Sequence, residues 1–409
     1  MQLNFGHSPT TLAFWRNLSR EALATGTPTP FYLLSVEPIR EALAELESIN
    51  AGIPITHWLS CKTQPVAPLL HWWRKQDRPI EVVTEFEFLA ALRVGFAPDR
   101  ILINGPAKHH WLTRHVHHGL RVNFDSRAEL HALLPLAQKF GWSVGIRCNT
   151  CAEFDPDNPS NPTQFGFTFD EAVSALRKLQ QSGARVETVH FHIRSYIESH
   201  IVYERAIAEV AEICAMAKFE PRHLDIGGGV PTPHVLTPKG VAYTAKFNFN
   251  SFATMLRRNV KRFRGLRELW LENGRFLSAR SGALVVAVLD VKERRGFRQL
   301  ICDGGRTMNA ITSDWELHEL LILPEQHGRR IPTTVHGPTC MAFDQLTRRK
   351  LPTSIKSGNH LIWLEAGAYH LPWETRFSHG LAAVLWHDGR KLALVRTKES
   401  FNNWWGQWK

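Results

Sequence analysis

Residues 188–229 read TVHFHIRSYIESHIVYERAIAEVAEICAMAKFEPRHLDIGGG. The opening run, Thr188–Ile193, is rich in β-branched and aromatic residues and predicts a strand. Ile207, Val210, Ala211 and Cys214 then recur at helical spacing and give a helix one apolar face. His223–Gly227 is strand-like again and runs into Gly227-Gly228-Gly229. A strand, a helix and a second strand joined in this way form the unit from which parallel sheets are built.

The same alternation extends outward over residues 55 to 275. The strand-like runs are Ile55–Ser60, Glu81–Thr84, Arg100–Gly105, Arg121–Asp125, Ser143–Asn149, Thr188–Ile193, His223–Gly227 and Glu268–Gly274. Between them, Phe86, Leu89 and Ala90, and likewise Ala128, Leu130 and Leu134, mark helical faces. Eight strands alternating with helices predict an α/β fold, a (β/α)8 TIM-like barrel over residues 30–275. Its chemistry belongs where strands end and loops begin. Ile39, Leu43, Leu46 and Ile49 share one face of a helix that precedes the barrel. After residue 276 come the strand-like runs Val285–Leu289, Gln299–Cys302, Ile331–Val335, Leu361–Leu364, Ala382–Trp386 and Leu392–Val395, with turns such as Asp388-Gly389. These predict a separate β-sandwich or β-barrel domain, residues 276–409 with 1–29. The terminal Trp404-Trp405-Gly406-Gln407-Trp408 reads as packing or interface.

Composition narrows the function classes. A chain of 409 residues with 44% hydrophobic and 21% charged residues is globular and holds more than one core. The longest apolar run, Ala283–Leu289, is too short to span a bilayer, so no membrane partner is expected. Residues Met1–Gly6 have neither the basic region nor the apolar stretch of a signal peptide, and a cytoplasmic location is expected. Six cysteines in this length do not make a disulfide framework. Cys148 and Cys151 form a lone CxxC without a second pair or a histidine at ligand spacing, so no metal is expected. The net charge of +11 could serve nucleic acid, but the basic residues are scattered and no nucleic-acid-binding motif accompanies them. No nucleic-acid partner is expected; an anionic substrate fits the balance better.

The strand ends carry the chemistry. Strand one ends Ser60-Cys61-Lys62, strand six His190-Phe191-His192-Ile193-Arg194-Ser195, strand seven Asp225-Ile226-Gly227-Gly228-Gly229 and strand eight Glu272-Asn273-Gly274-Arg275. Singly, a lysine is a solvated cation, a glycine run a turn, and a glutamate a salt-bridge partner. Together they supply an amine, a flat ring, a glycine-rich anion nest with Ser and Arg, and a carboxylate. Pyridoxal 5′-phosphate (PLP) needs that set: a lysine for its Schiff base, donors for its phosphate and a partner for its pyridine nitrogen.

The sequence resembles the fold-type III PLP-dependent decarboxylases, which include the ornithine and diaminopimelate enzymes on an alanine-racemase-like barrel. The resemblance runs from Pro30-Phe31-Tyr32 to about Phe377. It includes Lys62, Asn104-Gly105-Pro106-Ala107-Lys108, Asn123-Phe124-Asp125-Ser126, Phe191-His192-Ile193, Asp225–Gly229 and Glu272–Arg275. It continues through Asp303-Gly304-Gly305, Gly337-Pro338-Thr339-Cys340 and Gly367-Ala368-Tyr369. The resemblance implies that Lys62 forms the Schiff base and His192 stacks on the cofactor ring. It implies that Ser195, Gly228, Gly229, Arg275 and Tyr369 hold the phosphate, and that Glu272 pairs with the pyridine nitrogen. It further implies a homodimer with shared active sites, to which Cys340, as proton donor, and Phe377 are contributed by the partner.

The departures bear on the substrate, expected to be a small molecule of amino-acid type. Residue 341 is Met where the ornithine and diaminopimelate enzymes carry an acidic residue; Met341 and Asp344, downstream of Cys340, are expected to contact the substrate. The run Arg306-Thr307-Met308-Asn309-Ala310-Ile311 lacks the arginine motif of the diaminopimelate enzymes. Arg194 stands where the family has Gly, and Glu81 where ornithine decarboxylases have Asp. Arg194 and Arg306 suggest an acidic distal part. The expectation is therefore a decarboxylase of an amino acid or conjugate bearing extra carboxylates, such as a siderophore-type precursor, and not of ornithine or diaminopimelate. Two rival readings are an amino-acid racemase of the same fold, against which Glu272 argues, and a catalytically inactive regulatory homologue. Retention of Lys62 and Cys340 argues against the second. A PLP carrier, normally a single barrel, has no need of the β-domain.

Overall fold

The computed structural model describes residues 3–153, 161–309 and 315–409. It divides into a barrel unit, Leu43–Pro231 with Lys246–Arg275, and a sheet unit, Met1–Ala42 with Thr232–Ala245 and Phe276–Lys409. Strand β1 (Phe31–Ser35) belongs to the sheet unit.

In the barrel unit β2 (Ile55–Ser60), β3 (Ile80–Val82), β4 (Ile101–Ile103), β5 (Arg121–Phe124), β6 (Ser143–Arg147), β7 (Arg185–His190), β8 (His223–Asp225) and β9 (Glu268–Asn273) close in chain order. Every neighbouring pair is parallel, β9 returning to β2 with Trp58 opposite Glu272. Strands covered on both faces read as continuous apolar runs, which is why Ile101–Ile103 and Ser143–Arg147 are buried throughout. The helices between them have local start and stop signals. Thr168 and Glu171 form a capping box ahead of the helix Phe169–Gln181. The helix His200–Ala217 begins where Ser199 accepts the Ile201 N–H, and it buries Ile207, Val210 and Cys214.

Several strands stop earlier than the sequence predicts. Strand β7 ends at His190 rather than Ile193, and β8 at Asp225 rather than Gly227. The ladder lapses there because Gly227 and Gly229 take left-handed backbone, φ 66° and 96°, which no strand continues. His192, Ser195, Gly228 and Gly229 therefore sit in loops beyond the strand ends.

The sheet unit holds a nine-stranded sheet built on β1, β10 (Gly282–Arg294), β11 (Phe297–Cys302), β12 (Leu320–Leu323), β13 (Arg330–His336), β14 (Gln345–Pro352), β15 (His360–Trp363), β16 (Ala383–His387) and β17 (Leu392–Arg396). The path runs β14-β13-β11-β10-β1-β16-β17, with β15 joining β10 to β12. Trp15 and Leu18, from the helix Pro9–Ala24, pack on Phe31, Val285, Ile362 and Leu385. The division at residue 30 expected from sequence differs from the observed one. Strand β1 pairs antiparallel with β10 and parallel with β16, so residues up to 42 cluster with the sheet. The run Phe31–Ser35 is apolar enough for either sheet, and only its distant partners decide. Strand β14 carries Arg348, Arg349 and Lys350 and is an edge strand, where charged side chains are tolerated and discourage further pairing. Among the described residues no helix is long and apolar enough to cross a membrane.

Candidate active site

Lys62 lies two residues beyond β2, in the short 3-10 turn Cys61–Thr63. Its Nζ donates to both oxygens of Glu81, at 2.8 and 3.0 Å. Adjacent strands set this pair, since Ser60 lies opposite Glu81 in the β2–β3 register. The lysine side chain keeps 33% of its exposure while Glu81 keeps 1%, so the amine faces the open end of a buried ion pair.

Glu272, at the end of β9, is buried beside Asp225 at the end of β8. Asn104 Nδ2 donates to Glu272 Oε1, and Asn123 Nδ2 donates to Asn104 Oδ1 (3.0 Å) and to Asp225 Oδ2 (3.4 Å). His190 Nε2 lies 3.3 Å from Glu272. Burial raises the Glu272 carboxyl to about 7, with the Glu81 charge adding to it. Burial and then Glu272 push Asp225 well above the carboxylate range. Two carboxyls this close share a proton, held on Asp225 and hydrogen-bonded to Glu272. Burial, then Arg147, keeps His190 neutral. His190, Asp225 and Glu272 offer ligand atoms within 4.8 Å of one another and could surround a cation. The asparagine donors aimed at both carboxyls suit a proton-sharing pair better than a metal.

The glycine turn has no room for side chains. A Cβ on Gly228 would lie 2.5 Å from the Glu272 carbonyl oxygen, and one on Gly229 2.4 Å from that of Arg194. Tyr203 donates its hydroxyl to the Gly228 carbonyl at 2.8 Å. The N–H of Gly228, expected to face a phosphate, donates instead to His192 Nδ1 at 3.0 Å. His192 therefore carries its proton on Nε2, and burial with the neighbouring Arg147 holds its pKa to about 3, so the ring stays neutral. Arg275 opens the short helix after β9 with its guanidinium 4.7 Å from the Tyr196 ring centre. Ser195 and Arg194 are exposed on the loop after β7. Lys62, His192, Ser195, Gly228, Gly229, Glu272 and Arg275 thus all follow or end barrel strands on the C-terminal side.

Arg306, Cys340, Met341, Asp344, Tyr369 and Phe377 belong to the sheet unit. Cys340 is exposed and Phe377 is half-exposed; Tyr369 has left-handed backbone, φ 66°. The Arg306 guanidinium lies 5.3 Å from the Phe343 ring centre. Asp344, expected to read the substrate, is corrected to an internal role. One carboxylate oxygen accepts the Arg306 N–H at 2.7 Å, and the other accepts the Thr339 N–H and hydroxyl at 3.0 and 2.6 Å. Its side chain is buried and ties the 305–306 and 337–344 turns together. Ala310 and Ile311, the end of the departing run, lie outside the described residues.

Glu81, Asn104, Asn123, Arg147, His190 and Asp225 were not assigned site roles from sequence. From sequence, Glu81 is only a departure from the family pattern, and Asn104, Asn123 and Asp225 are only parts of longer motifs. Their joint burial at one barrel end was the missing information.

The donor set suits PLP: an amine at the mouth, a buried carboxyl pair, and a glycine turn whose Cβ positions are occupied by backbone. The profile of the family described as pyridoxal-dependent decarboxylase, pyridoxal binding domain, matches residues 39–279. The chain belongs to this family, the fold-type III PLP-dependent decarboxylases, and is a carboxy-lyase with PLP as cofactor. It is 29% identical over 350 residues to a diaminopimelate decarboxylase of Actinosynnema pretiosum, covering 81% of this chain and 76% of that one. It is 24% identical over 393 residues to a lysine/ornithine decarboxylase of Selenomonas ruminantium, covering 93% and 95%. The fold is that of the Helicobacter pylori diaminopimelate decarboxylase crystallised with L-lysine, with a TM-score of 0.79 at 23% identity over 95% and 98% of the chains. The activity is thus amino-acid decarboxylation of the diaminopimelate and ornithine type.

Proposed function

We propose that the barrel-mouth residues hold PLP and that the chain decarboxylates an amino acid whose far end carries a carboxylate. The observation that carries the first half is the Lys62–Glu81 pair, a half-open amine beside a buried carboxylate. Bound PLP supplies an electron sink for the pair left when the α-carboxylate departs as CO2. Lys62 offers the amine for the covalent link, and Glu81 orients it. Glu272, backed by the proton on Asp225, keeps a proton at the ring nitrogen. His192, locked by the Gly228 N–H and neutral, presents a flat face for stacking. Gly229, Ser195, Arg275 and Tyr369 are the proposed phosphate donors, with Gly228 shaping the turn.

The second half rests on Arg194, Arg306 and Met341. Replacing an acidic reader by Met and adding guanidinium groups inverts the local field toward anions. Diaminopimelate itself has a distal carboxylate, and relatives of this chain bear its name. The expectation that sets it aside is therefore not carried forward. A second copy of the chain is proposed to complete the site, with Cys340 donating the proton that replaces CO2 on the carbon and Phe377 lining the pocket; their exposure supports this.

The test is CO2 release from a panel containing diaminopimelate, ornithine, lysine, arginine and carboxylate-rich conjugates such as a citrate-linked diamino acid. A substrate with a distal carboxylate should lead. A charged hydrogen bond is worth about 1.5–3 kcal/mol, so Arg194→Gly or Arg306→Met should lower kcat/KM by roughly 10–150-fold with PLP affinity unchanged. Preference for ornithine or lysine over every acidic substrate would refute the reading.

A further inference from the structure

The sheet unit contains a cavity of about 520 Å3 with no part in the reaction described above. Its wall carries Arg330, Arg349 and Lys350, and its floor includes Phe5, Leu320 and Ile322. Strands β13 and β14 bring the cations together, with Thr333 opposite Arg349 and Pro332 opposite Lys350.

Arg349 is held firmly. Its guanidinium lies 5.8 Å from the Phe5 ring centre and 5.5 Å from that of Trp363. Nε donates to Thr347 Oγ1 at 3.1 Å, and Nη1 to the His318 carbonyl at 3.0 Å. Nη2 is buried with no hydrogen-bond partner among the described residues. A buried charged donor without an acceptor is costly, so an anion brought close would recover free energy. Burial lowers the Arg349 pKa only to about 10, which leaves it a cation at neutral pH. Among the described residues neither Arg330 nor Lys350 has an ion-pair partner within 4.0 Å. The acid in the wall, Glu319, accepts the Leu320 N–H at 3.1 Å; burial raises its pKa although Arg349 and Arg330 lie near enough to oppose that, and among the described residues it makes no ion pair within 4.0 Å with either.

We infer that this cavity binds an organic oxyanion, a carboxylate or phosphate carried on an apolar body, with Arg330, Arg349 and Lys350 facing the charge and Phe5, Leu320 and Ile322 the body. Its volume lies within the range of small-molecule sites, about 300–1,000 Å3, and an apolar lining with a few convergent polar groups is their usual make-up. This inference is independent of the reading of the barrel site.

The test is calorimetric titration of the holoenzyme with hexyl phosphate, octanoate and inorganic phosphate. The comparison is between wild type, Arg330→Gln/Lys350→Gln and the charge-matched control Arg294→Gln/Arg295→Gln at the exposed β10–β11 turn. The variants replace exposed residues and should fold, which retained decarboxylation verifies. The amphiphiles should saturate at one site per chain, more tightly than inorganic phosphate. Removing the two cavity cations should weaken them roughly 10-fold or more, given the strength of charge-assisted bonds, while the control should bind as wild type. No saturable amphiphile binding, or equal weakening in control and cavity variants, would overturn the inference. Inorganic phosphate binding as tightly as hexyl phosphate would do the same, because the apolar floor would then contribute nothing.

Discussion

The ammonium of Lys62 lies 2.8 Å from a carboxylate oxygen of Glu81, joined across neighbouring barrel strands. The lysine is the exposed member and the glutamate the buried one. Removing the lysine therefore strands a charge, whereas removing the glutamate frees an amine.

In the cofactor-free protein, Lys62→Ala should cost about 1–2 kcal/mol of stability. That lies below the 3–5 kcal/mol of a fully buried pair because the lysine is partly solvated. Adding Glu81→Gln to Lys62→Ala should restore most of the loss, as read by urea unfolding. Equal stability of the single and double variants would show that the pair does not hold Glu81 charged.

The Asp225–Glu272 pair makes stability pH-dependent. Burial lifts Glu272 from 4.5 to about 7, so between those values the folded chain holds a proton that the unfolded chain has released. The stabilising proton is fully present below about 4.5 and lost as pH rises through about 7. Unfolding free energy of the cofactor-free protein should fall from pH 5 to 8 by more in wild type than in Glu272→Gln. Parallel pH profiles would contradict the raised Glu272 carboxyl.

Gly229→Ala should weaken PLP binding at least about tenfold. Left-handed backbone at φ 96° and a Cβ 2.4 Å from the Arg194 carbonyl both resist the methyl, and each such strain costs on the order of 1–3 kcal/mol. Spectroscopic titration of the cofactor reads the affinity directly. Gly141→Ala, at left-handed backbone but with nothing within 4 Å of the added Cβ, should leave the affinity unchanged.

Asp344→Ala should lower stability by about 1–3 kcal/mol, because Arg306 and Thr339 each lose a buried acceptor for their N–H. A residue that only reads substrate would leave the melting temperature untouched, so thermal unfolding separates the two roles.

Much of the barrel was legible because its signals are local. Ile55–Ser60, which opens on two β-branched residues, forms a strand at its expected bounds, and the face Ile207, Val210, Cys214 is buried as the period requires. Lys62 and Glu272 stand out because one follows such a run and the other ends one. The partners of these residues were hidden: Glu81, Asn104 and Asp225 are far apart in the chain, and only closure of β9 onto β2 gathers them. The same holds for β1, whose five buried residues carry no mark of the sheet they join. Asp344 misled because an acidic residue near a proposed site reads as a ligand contact until its oxygens are found bound to backbone.

The central claim is that Lys62 carries the cofactor. Borohydride reduction of the holoenzyme, followed by digestion and mass spectrometry, tests it most directly. The account predicts a single pyridoxyl-phosphate adduct on the peptide containing Lys62, absent in Lys62→Ala. An adduct on another lysine, such as the buried Lys108, with Lys62 unmodified would contradict it.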